Sequence, residues 1–91
     1  MSIVHVYEPI QEIEVREGDR FITLDDHTRI GFRVDEFPET RNFRVGDMVL
    51  IDFQQWNAAR GKAHVRVFRD HDILFTSRIG GKCYLECPLL A

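Results

Sequence analysis

Residues 63–69 read Ala-His-Val-Arg-Val-Phe-Arg, a stretch in which small apolar side chains alternate with larger, mostly charged ones. Alternation with a period of two is typical of a β-strand that buries one face, because successive side chains point to opposite sides. Val65 and Val67 are therefore predicted to face the core. The opposite face, extended by one residue upstream, then carries Lys62, His64, Arg66 and Phe68.

Short runs of the same kind occur earlier in the chain. Ile13 and Val15 alternate with charged residues, and residues 28–34 alternate again after an apolar run at 21–24. Residues 25–28 lie between these last two runs. They predict a turn, because short polar side chains there can hydrogen-bond to their own backbone. We therefore expect the two runs to pair as a hairpin.

Two glycine-containing turns separate the remaining strands. Residues 46–47 lead into the continuous apolar run at 48–51, which predicts a strand covered on both faces. Gly80-Gly81 lies between the runs at 73–79 and 82–87 and is the strongest hairpin signal in the chain, because glycine adopts positive φ freely. We expect this turn to fix the register of the C-terminal strands.

One segment departs from the alternation. Asp52 can cap a helix and Gly61 can end it, so we expect a short helix near residues 53–60, with a long strand-connecting loop as the alternative. In the helix, Trp56 and Arg60 would share a face, four residues apart. Both side chains would lie just upstream of the charged strand face and extend it.

These elements predict a mainly β fold in a single domain that covers residues 1–91. Six to seven short strands separated by turns are typical of a small antiparallel barrel or a bent sheet. Three strands, an intervening segment and two further strands resemble the strand order of an oligonucleotide/oligosaccharide-binding (OB) barrel. An SH3-like barrel is the alternative, and the resemblance to either is one of strand order alone.

Charge is distributed unevenly along the chain. Residues 1–52 hold twelve acidic residues and six arginines, whereas residues 53–91 hold six basic residues and three acidic ones, for a total of −3. Such asymmetry bears on partners rather than on the fold. No apolar run approaches the ~20 residues of a membrane-spanning helix, so we expect a cytoplasmic protein that does not cross a membrane.

The predicted strand face is the main candidate binding site. A row of cations with an aromatic neighbour suits single-stranded nucleic acid, since charge neutralises phosphate and rings stack on bases. The acidic total disfavours that partner, and a merely solvated face is the plainest alternative. We therefore expect a small non-enzymatic protein-interaction module that acts as a regulator, inhibitor or adaptor. A nucleic-acid-handling complex is one candidate target. The alternative is a single-stranded nucleic-acid-binding β-barrel. The expected contact residues are Trp56, Arg60, Lys62, His64, Arg66 and Phe68.

A contact between two copies of the chain is a further candidate, because the acidic N-terminal half complements the basic C-terminal half. The acidic half can equally bind a basic protein or remain solvated. A homodimer would form through such a two-fold or head-to-tail contact.

The sequence gives little support for catalysis, a metal or a cofactor. It contains no phosphate-cradling glycine loop and no nucleophile or zinc-protease motif, so we expect no enzymatic activity. Metal-capable residues cluster at 25–27 and 70–72, but both clusters lie where turns are expected. Cys83 and Cys87 would be ~13 Å apart on one strand, too far for a disulfide, so we expect buried, reduced thiols.

Overall fold

The computed structural model describes residues 5–24, 28–52, 63–80 and 82–86. Within these ranges, seven antiparallel strands form one sheet that curls into a half-barrel, in the order β6-β5-β4-β1-β2-β3-β7. This confirms the mainly β fold, whereas the helix predicted at 53–60 lies outside the described residues. The elements are β1 His5–Arg16, β2 Asp19–Leu24, β3 Arg29–Arg33, the 3-10 turn η1 Pro38–Asn42, β4 Met48–Asp52, β5 Ala63–Arg69, β6 Asp72–Ile79 and β7 Cys83–Glu86.

The long strand β1 joins the two halves of the sheet. Its first part pairs with β4, from His5 to Pro9, and its second part pairs with β2, from Ile10 to Arg16. The register shifts between Ile10 and Glu12, and irregularities of this kind bend a strand and increase its twist. The sheet therefore changes direction along β1, with β6-β5-β4 on one side and β2-β3-β7 on the other.

Tight turns connect neighbouring strands, as the sequence predicts. Glu17 and Gly18 link β1 to β2 with φ of 51° and 86°, and positive φ at both central residues suits the right-handed twist of a hairpin. The hairpin predicted from residues 21–24 and 28–34 is confirmed, since Ile22 pairs with Ile30. The β5–β6 hairpin turns at Asp70, where φ is 57°.

The sequence predicts that β6 and β7 pair as a hairpin about Gly80-Gly81. Apart from one bridge, this prediction is wrong. Gly80 and Cys83 form that bridge, but β7 pairs along its length with β3, where Phe32 faces Cys83 and Ile30 faces Leu85. Pairing with β3 buries the Cys83 side chain completely and packs Leu85 against the core. The bridge thus brings the two outermost strands of the curled sheet together at one point.

The core lies inside the curl and centres on phenylalanine rings. Phe32 is fully buried and makes edge-to-face contacts with Phe37, Phe43 and Phe75, with ring centroids 6.1, 5.8 and 5.3 Å away. These rings come from β3, from the segment around η1 and from β6, so they join both halves of the sheet. Edge-to-face aromatic pairs contribute about 0.5–1.5 kcal/mol each beyond their buried area.

The apolar strand β4 is buried on one face only. Val49 and Ile51 are completely buried, whereas Met48 and Leu50 are half-buried on the opposite face. The expectation of cover on both faces is therefore wrong for the part of the chain that the structure describes. The reason is that a half-barrel has one concave, packed side, and its convex side meets solvent.

A candidate binding face on the outer side of β1, β4 and β5

The alternation that defines β5 is confirmed in the structure. Val65 and Val67 are completely buried in the core. His64, Arg66 and Phe68 lie on the other side of the strand and are half-buried. The three candidate contact residues of β5 thus share one outward face.

The neighbouring strands place further side chains on the same face. In the β4–β5 register, Asp52 lies opposite His64, Leu50 opposite Arg66, and Met48 opposite Phe68. Directly opposed residues of antiparallel strands point to the same side, with Cβ atoms about 4.5–5.5 Å apart. On the far side of β4, Tyr7 of β1 lies opposite Leu50. We define the outer face as Tyr7, Met48, Leu50, Asp52, His64, Arg66 and Phe68.

The middle of the outer face is apolar and partly open to solvent. Tyr7 is 53% exposed, and Leu50, Met48 and Phe68 are half-buried beside it. Ile73 of β6 lies opposite Phe68 and is 60% exposed, so the apolar region continues onto the edge strand. Contiguous exposed apolar groups with a polar rim are typical of interaction sites.

Arg66 brings a positive charge into this apolar region. Its guanidinium forms no ion pair with any carboxylate in the described part of the chain. Elsewhere, Arg29 pairs with Glu14, Arg69 with Asp47 and Lys82 with Glu36. The outer face therefore carries a cation that no described carboxylate neutralises, and it shares this face with Phe68 and Tyr7.

Half of the contact residues predicted from sequence lie outside the described ranges. These are Trp56, Arg60 and Lys62, so their relation to the outer face stays a prediction. The structure adds Tyr7 and Leu50, which sequence reasoning missed. Their own alternation in β1 and β4 indicates an outward direction, but only the strand pairing places Leu50 opposite Arg66 and Tyr7 on the far side of Leu50.

The outward side of the other half of the sheet is occupied by the protein's own contacts. The hydroxyl of Tyr84 donates to Asp19 at 2.8 Å, and its ring packs edge-to-face on Phe21 with centroids 6.2 Å apart. The Arg29 guanidinium lies 4.7 Å from the Phe21 ring centre. Tyr84 is therefore engaged, and nearby Lys82 forms an ion pair with Glu36.

On that second side, the carboxylate of Glu14 is also engaged by side chains of the same chain. A hydrogen bond from Arg16 and the charges of Arg16 and Arg29 hold the pKa of Glu14 below its usual range, although partial desolvation opposes the shift. Glu14 thus bridges two arginines that cover Phe21, which is only 9% exposed. This cluster stabilises the sheet.

The described residues show no arrangement for metal or thiol chemistry. His5 and His64 lie on either side of Asp52 across neighbouring strands. Even so, no group of three or more histidine, cysteine, aspartate or glutamate side chains converges within the described ranges. Cys83 is a buried free thiol, and burial raises its pKa to about 12, which makes it a poor nucleophile. Cys87 and the cluster at 25–27 lie outside the described residues.

Two further findings bear on identity. No helix in the described ranges has the length and apolarity needed to cross a membrane. The comparisons with protein-family models, with curated proteins and with solved structures found no match for this chain.

Proposed function

We propose that this chain is a non-enzymatic protein-interaction module that binds an acidic, partly apolar segment of a partner protein through the outer face. The observation that carries the proposal is the position of Arg66, a cation unpaired among the described residues, opposite the half-buried Leu50. Phe68 lies two residues along the same strand, and the exposed Tyr7 lies on the far side of Leu50. The centres of protein interfaces are enriched in Tyr, Phe, Met and Arg and depleted in Lys and acidic residues.

The composition of the outer face matches this description. It contributes one arginine, one tyrosine, one phenylalanine and one methionine, and its one carboxylate belongs to Asp52. A partner carboxylate can pair with Arg66 while apolar partner side chains cover Tyr7 and Leu50. Such a charge pair at the centre of an interface also selects against partners of the wrong charge.

Single-stranded nucleic acid is the second candidate ligand. Tyr7 and Phe68 share one surface with Arg66, and aromatic rings with a cation are the combination that lets bases stack while phosphates meet a positive charge. The net charge of −3 weighs against it, because general attraction to phosphate needs an excess of positive charge. A partner that itself handles nucleic acid is compatible with the protein-binding proposal.

The test uses one charge reversal on the outer face and one elsewhere. Arg66→Glu removes the central cation, and the control Arg41→Glu makes the same change at an exposed position in η1, outside the outer face. The tagged full chain captures partners from its native host, and each variant is compared with the wild type. The proposal predicts a partner that Arg66→Glu and Tyr7→Ala release and that Arg41→Glu retains.

Oligonucleotide binding separates the two candidates. If the outer face binds nucleic acid, wild type binds a single-stranded oligonucleotide, and Arg66→Glu lowers the slope of log affinity against log salt by about 0.7 for one lost phosphate contact. That result contradicts the protein-binding proposal. Retention of every partner by both Arg66→Glu and Tyr7→Ala would reduce the outer face to solvated surface.

A further inference from the structure

The edge strand β6 continues the outer side of the sheet beyond β5. In the β5–β6 register, Thr76 lies opposite Arg66, and Arg78 lies opposite His64. Opposed residues of antiparallel strands point to the same side, and diagonal neighbours such as Arg66 and Arg78 lie about 7–8 Å apart, within reach of long side chains. Thr76 and Arg78 are exposed, whereas His64 and Arg66 are half-buried. We define the basic corner as His64, Arg66, Thr76 and Arg78.

Both arginines of the basic corner lack a side-chain partner within the described part of the chain. Neither guanidinium forms an ion pair or a hydrogen bond with a described residue. The other arginines of the described strands are bound by the chain itself: Arg20 donates to the Thr40 hydroxyl, and carboxylates pair with Arg16, Arg29, Arg33 and Arg69. The two strand arginines that the described residues leave without a partner are thus diagonal neighbours on one face.

The one carboxylate of the outer face does not neutralise this pair. Asp52 of β4 lies opposite His64, on the side away from Arg78. Neighbouring strands are about 4.8 Å apart, so β4 and β6 are separated by about 10 Å. Asp52 is also diagonal to Arg66 but forms no ion pair with it. The basic corner therefore presents two positive charges beside a hydroxyl and an imidazole, both of which can donate hydrogen bonds.

A phosphomonoester matches this set of groups. It carries about −1.5 to −2 charges at pH 7 and has three strong acceptor oxygens, so two guanidinium groups can bind it at once. A carboxylate has one charge and two oxygens, which suffice for a single bidentate arginine. Clusters of arginine are a recurring means of binding phosphorylated segments. The pair of arginines therefore favours a phosphate over an Asp or Glu side chain.

We propose that the acidic group of the partner in the proposed function, on which this inference rests, is a phosphorylated side chain bound at the basic corner. Arg66 and Arg78 pair with the phosphate, and His64 and Thr76 donate to its remaining oxygen. Apolar partner residues beside the phosphate cover the apolar middle of the outer face, which continues the row of Thr76 and Arg66 across β4 and β1. A nucleic-acid phosphodiester matches less well, because each carries a single negative charge.

A phosphopeptide tests the assignment directly. The probe is acetyl-Leu-phosphoserine-Leu amide, compared with the same peptide carrying Glu or Ser at its centre. NMR titration of the full chain at low salt should give a dissociation constant for the phosphopeptide about tenfold or more below that of the Glu peptide. Arg78→Gln should raise this constant to that of the Glu peptide. The control Arg41→Gln removes an exposed charge in η1 and should leave it unchanged.

A second substitution at the same position separates charge from geometry. Arg78→Lys keeps the positive charge but loses the guanidinium fork, so its affinity for the phosphopeptide should fall between those of wild type and Arg78→Gln. Circular dichroism checks that each variant is folded. The proposal is overturned if the phosphopeptide binds no tighter than the Glu peptide or if folded Arg78→Gln binds it like wild type. Equally tight binding of inorganic phosphate or of a single-stranded oligonucleotide would also overturn it.

Partner capture separates this proposal from the proposed function, because Arg78 plays no part in the test of the latter. The expected result is a partner that is released by Arg78→Gln and by phosphatase treatment, as well as by Arg66→Glu. A partner that Arg66→Glu and Tyr7→Ala release, but that Arg78→Gln and phosphatase treatment both leave bound, would overturn the phosphate assignment. The proposed function would stand in that case.

Discussion

At the scale of single residues, Gly31 shows why a strand interior needs glycine here. The Tyr84 ring lies directly over its backbone, and a Cβ at this position would meet Tyr84 Cζ and Oη at less than 3.0 Å. The same tyrosine is fixed by its hydrogen bond to Asp19 and by its contact with Phe21. The ring cannot move away without losing these contacts.

Gly31→Ala should therefore lower the free energy of unfolding by about 1–3 kcal/mol, the usual cost of overpacking. Urea denaturation measures the loss. In a Tyr84→Ala background the ring is absent, so adding Gly31→Ala should cost less than ~0.5 kcal/mol. An equal loss in both backgrounds would show that the ring is not the cause.

Asp47 is a buried carboxylate that holds the segment before β4 to the end of β5. It is 5% exposed and accepts hydrogen bonds from Arg69 Nε and Nη2 at 2.9 and 3.0 Å and from the Arg44 backbone N–H at 2.8 Å. Burial alone would raise the pKa of Asp47. The hydrogen bonds and charge of Arg69, together with Arg44, more than offset burial, so the pKa lies below its usual range.

A lowered pKa in the folded state means that ionised Asp47 stabilises the fold above its unfolded pKa of about 3.9, and that this stability is lost as pH falls through the folded pKa. Asp47→Asn should cost about 1–3 kcal/mol at neutral pH. The difference from wild type should shrink as pH falls below about 4.

Urea denaturation at neutral and acidic pH measures both values. Asp35→Asn is the matched control, because the Asp35 side chain is 70% exposed and its contact with Arg33 is long, at 3.6 Å. It should change stability by less than ~0.5 kcal/mol. A constant difference between Asp47→Asn and wild type at every pH would contradict the role of the charged carboxylate.

At the scale of elements, turns decide how well each hairpin forms. Glu17 adopts φ of 51° in the β1–β2 turn, a conformation that costs an L-residue other than Gly, Asn or Asp about 1–2 kcal/mol. The next residue, Gly18, meets the same requirement without a Cβ. The sequence Glu-Gly thus forms the turn, but its first residue is in a conformation that is unfavourable for glutamate.

Glu17→Asn should therefore stabilise the protein by about 0.5–1 kcal/mol, since Asn-Gly is the favoured pair for this turn. The shift in thermal midpoint measures the gain. Glu12→Asn removes the same charge from an exposed strand position of β1, where φ is not positive, and should be neutral or destabilising. A gain shared by both variants would trace the effect to charge rather than to backbone conformation.

At the scale of the whole molecule, the two outward sides of the sheet differ in how their charges are satisfied. Around Phe21 and Tyr84, arginines pair with carboxylates of the same chain and cover aromatic rings. On the outer face, Arg66 has no carboxylate partner among the described residues, and Tyr7 is half-exposed. The charges of the first side are satisfied within the chain, whereas the described residues leave Arg66 on the second side without a carboxylate partner.

Charge reversal should separate the two sides. Arg29→Glu loses the contact with Phe21 and faces Glu14, so it should lower the free energy of unfolding by about 1–2 kcal/mol. Arg66→Glu should change it by less than ~0.5 kcal/mol. Denaturation of both variants under one set of conditions provides the comparison. A large loss for Arg66→Glu would mean that Arg66 serves the fold.

The sequence by itself determined the mainly β fold, most of the turns and the direction of the side chains in β5. Period-two alternation assigned Val65 and Val67 to the core and Arg66 to the surface, because a pleated strand sends neighbouring side chains to opposite sides. Residues with short polar side chains or no Cβ marked the turns for equally local reasons. The composition and the net charge of the chain are likewise known from the sequence alone.

Only the tertiary structure decided which strands lie side by side. Alternation reports the face of a residue on its own strand and carries no information about the neighbouring strand. Pairing of β1 with β4 brings Tyr7 opposite Leu50, which faces Arg66 on its other side, and pairing of β7 with β3 overrides the hairpin signal at Gly80. Both pairings bury side chains in one shared core around Phe32, a gain that depends on residues far apart in the chain.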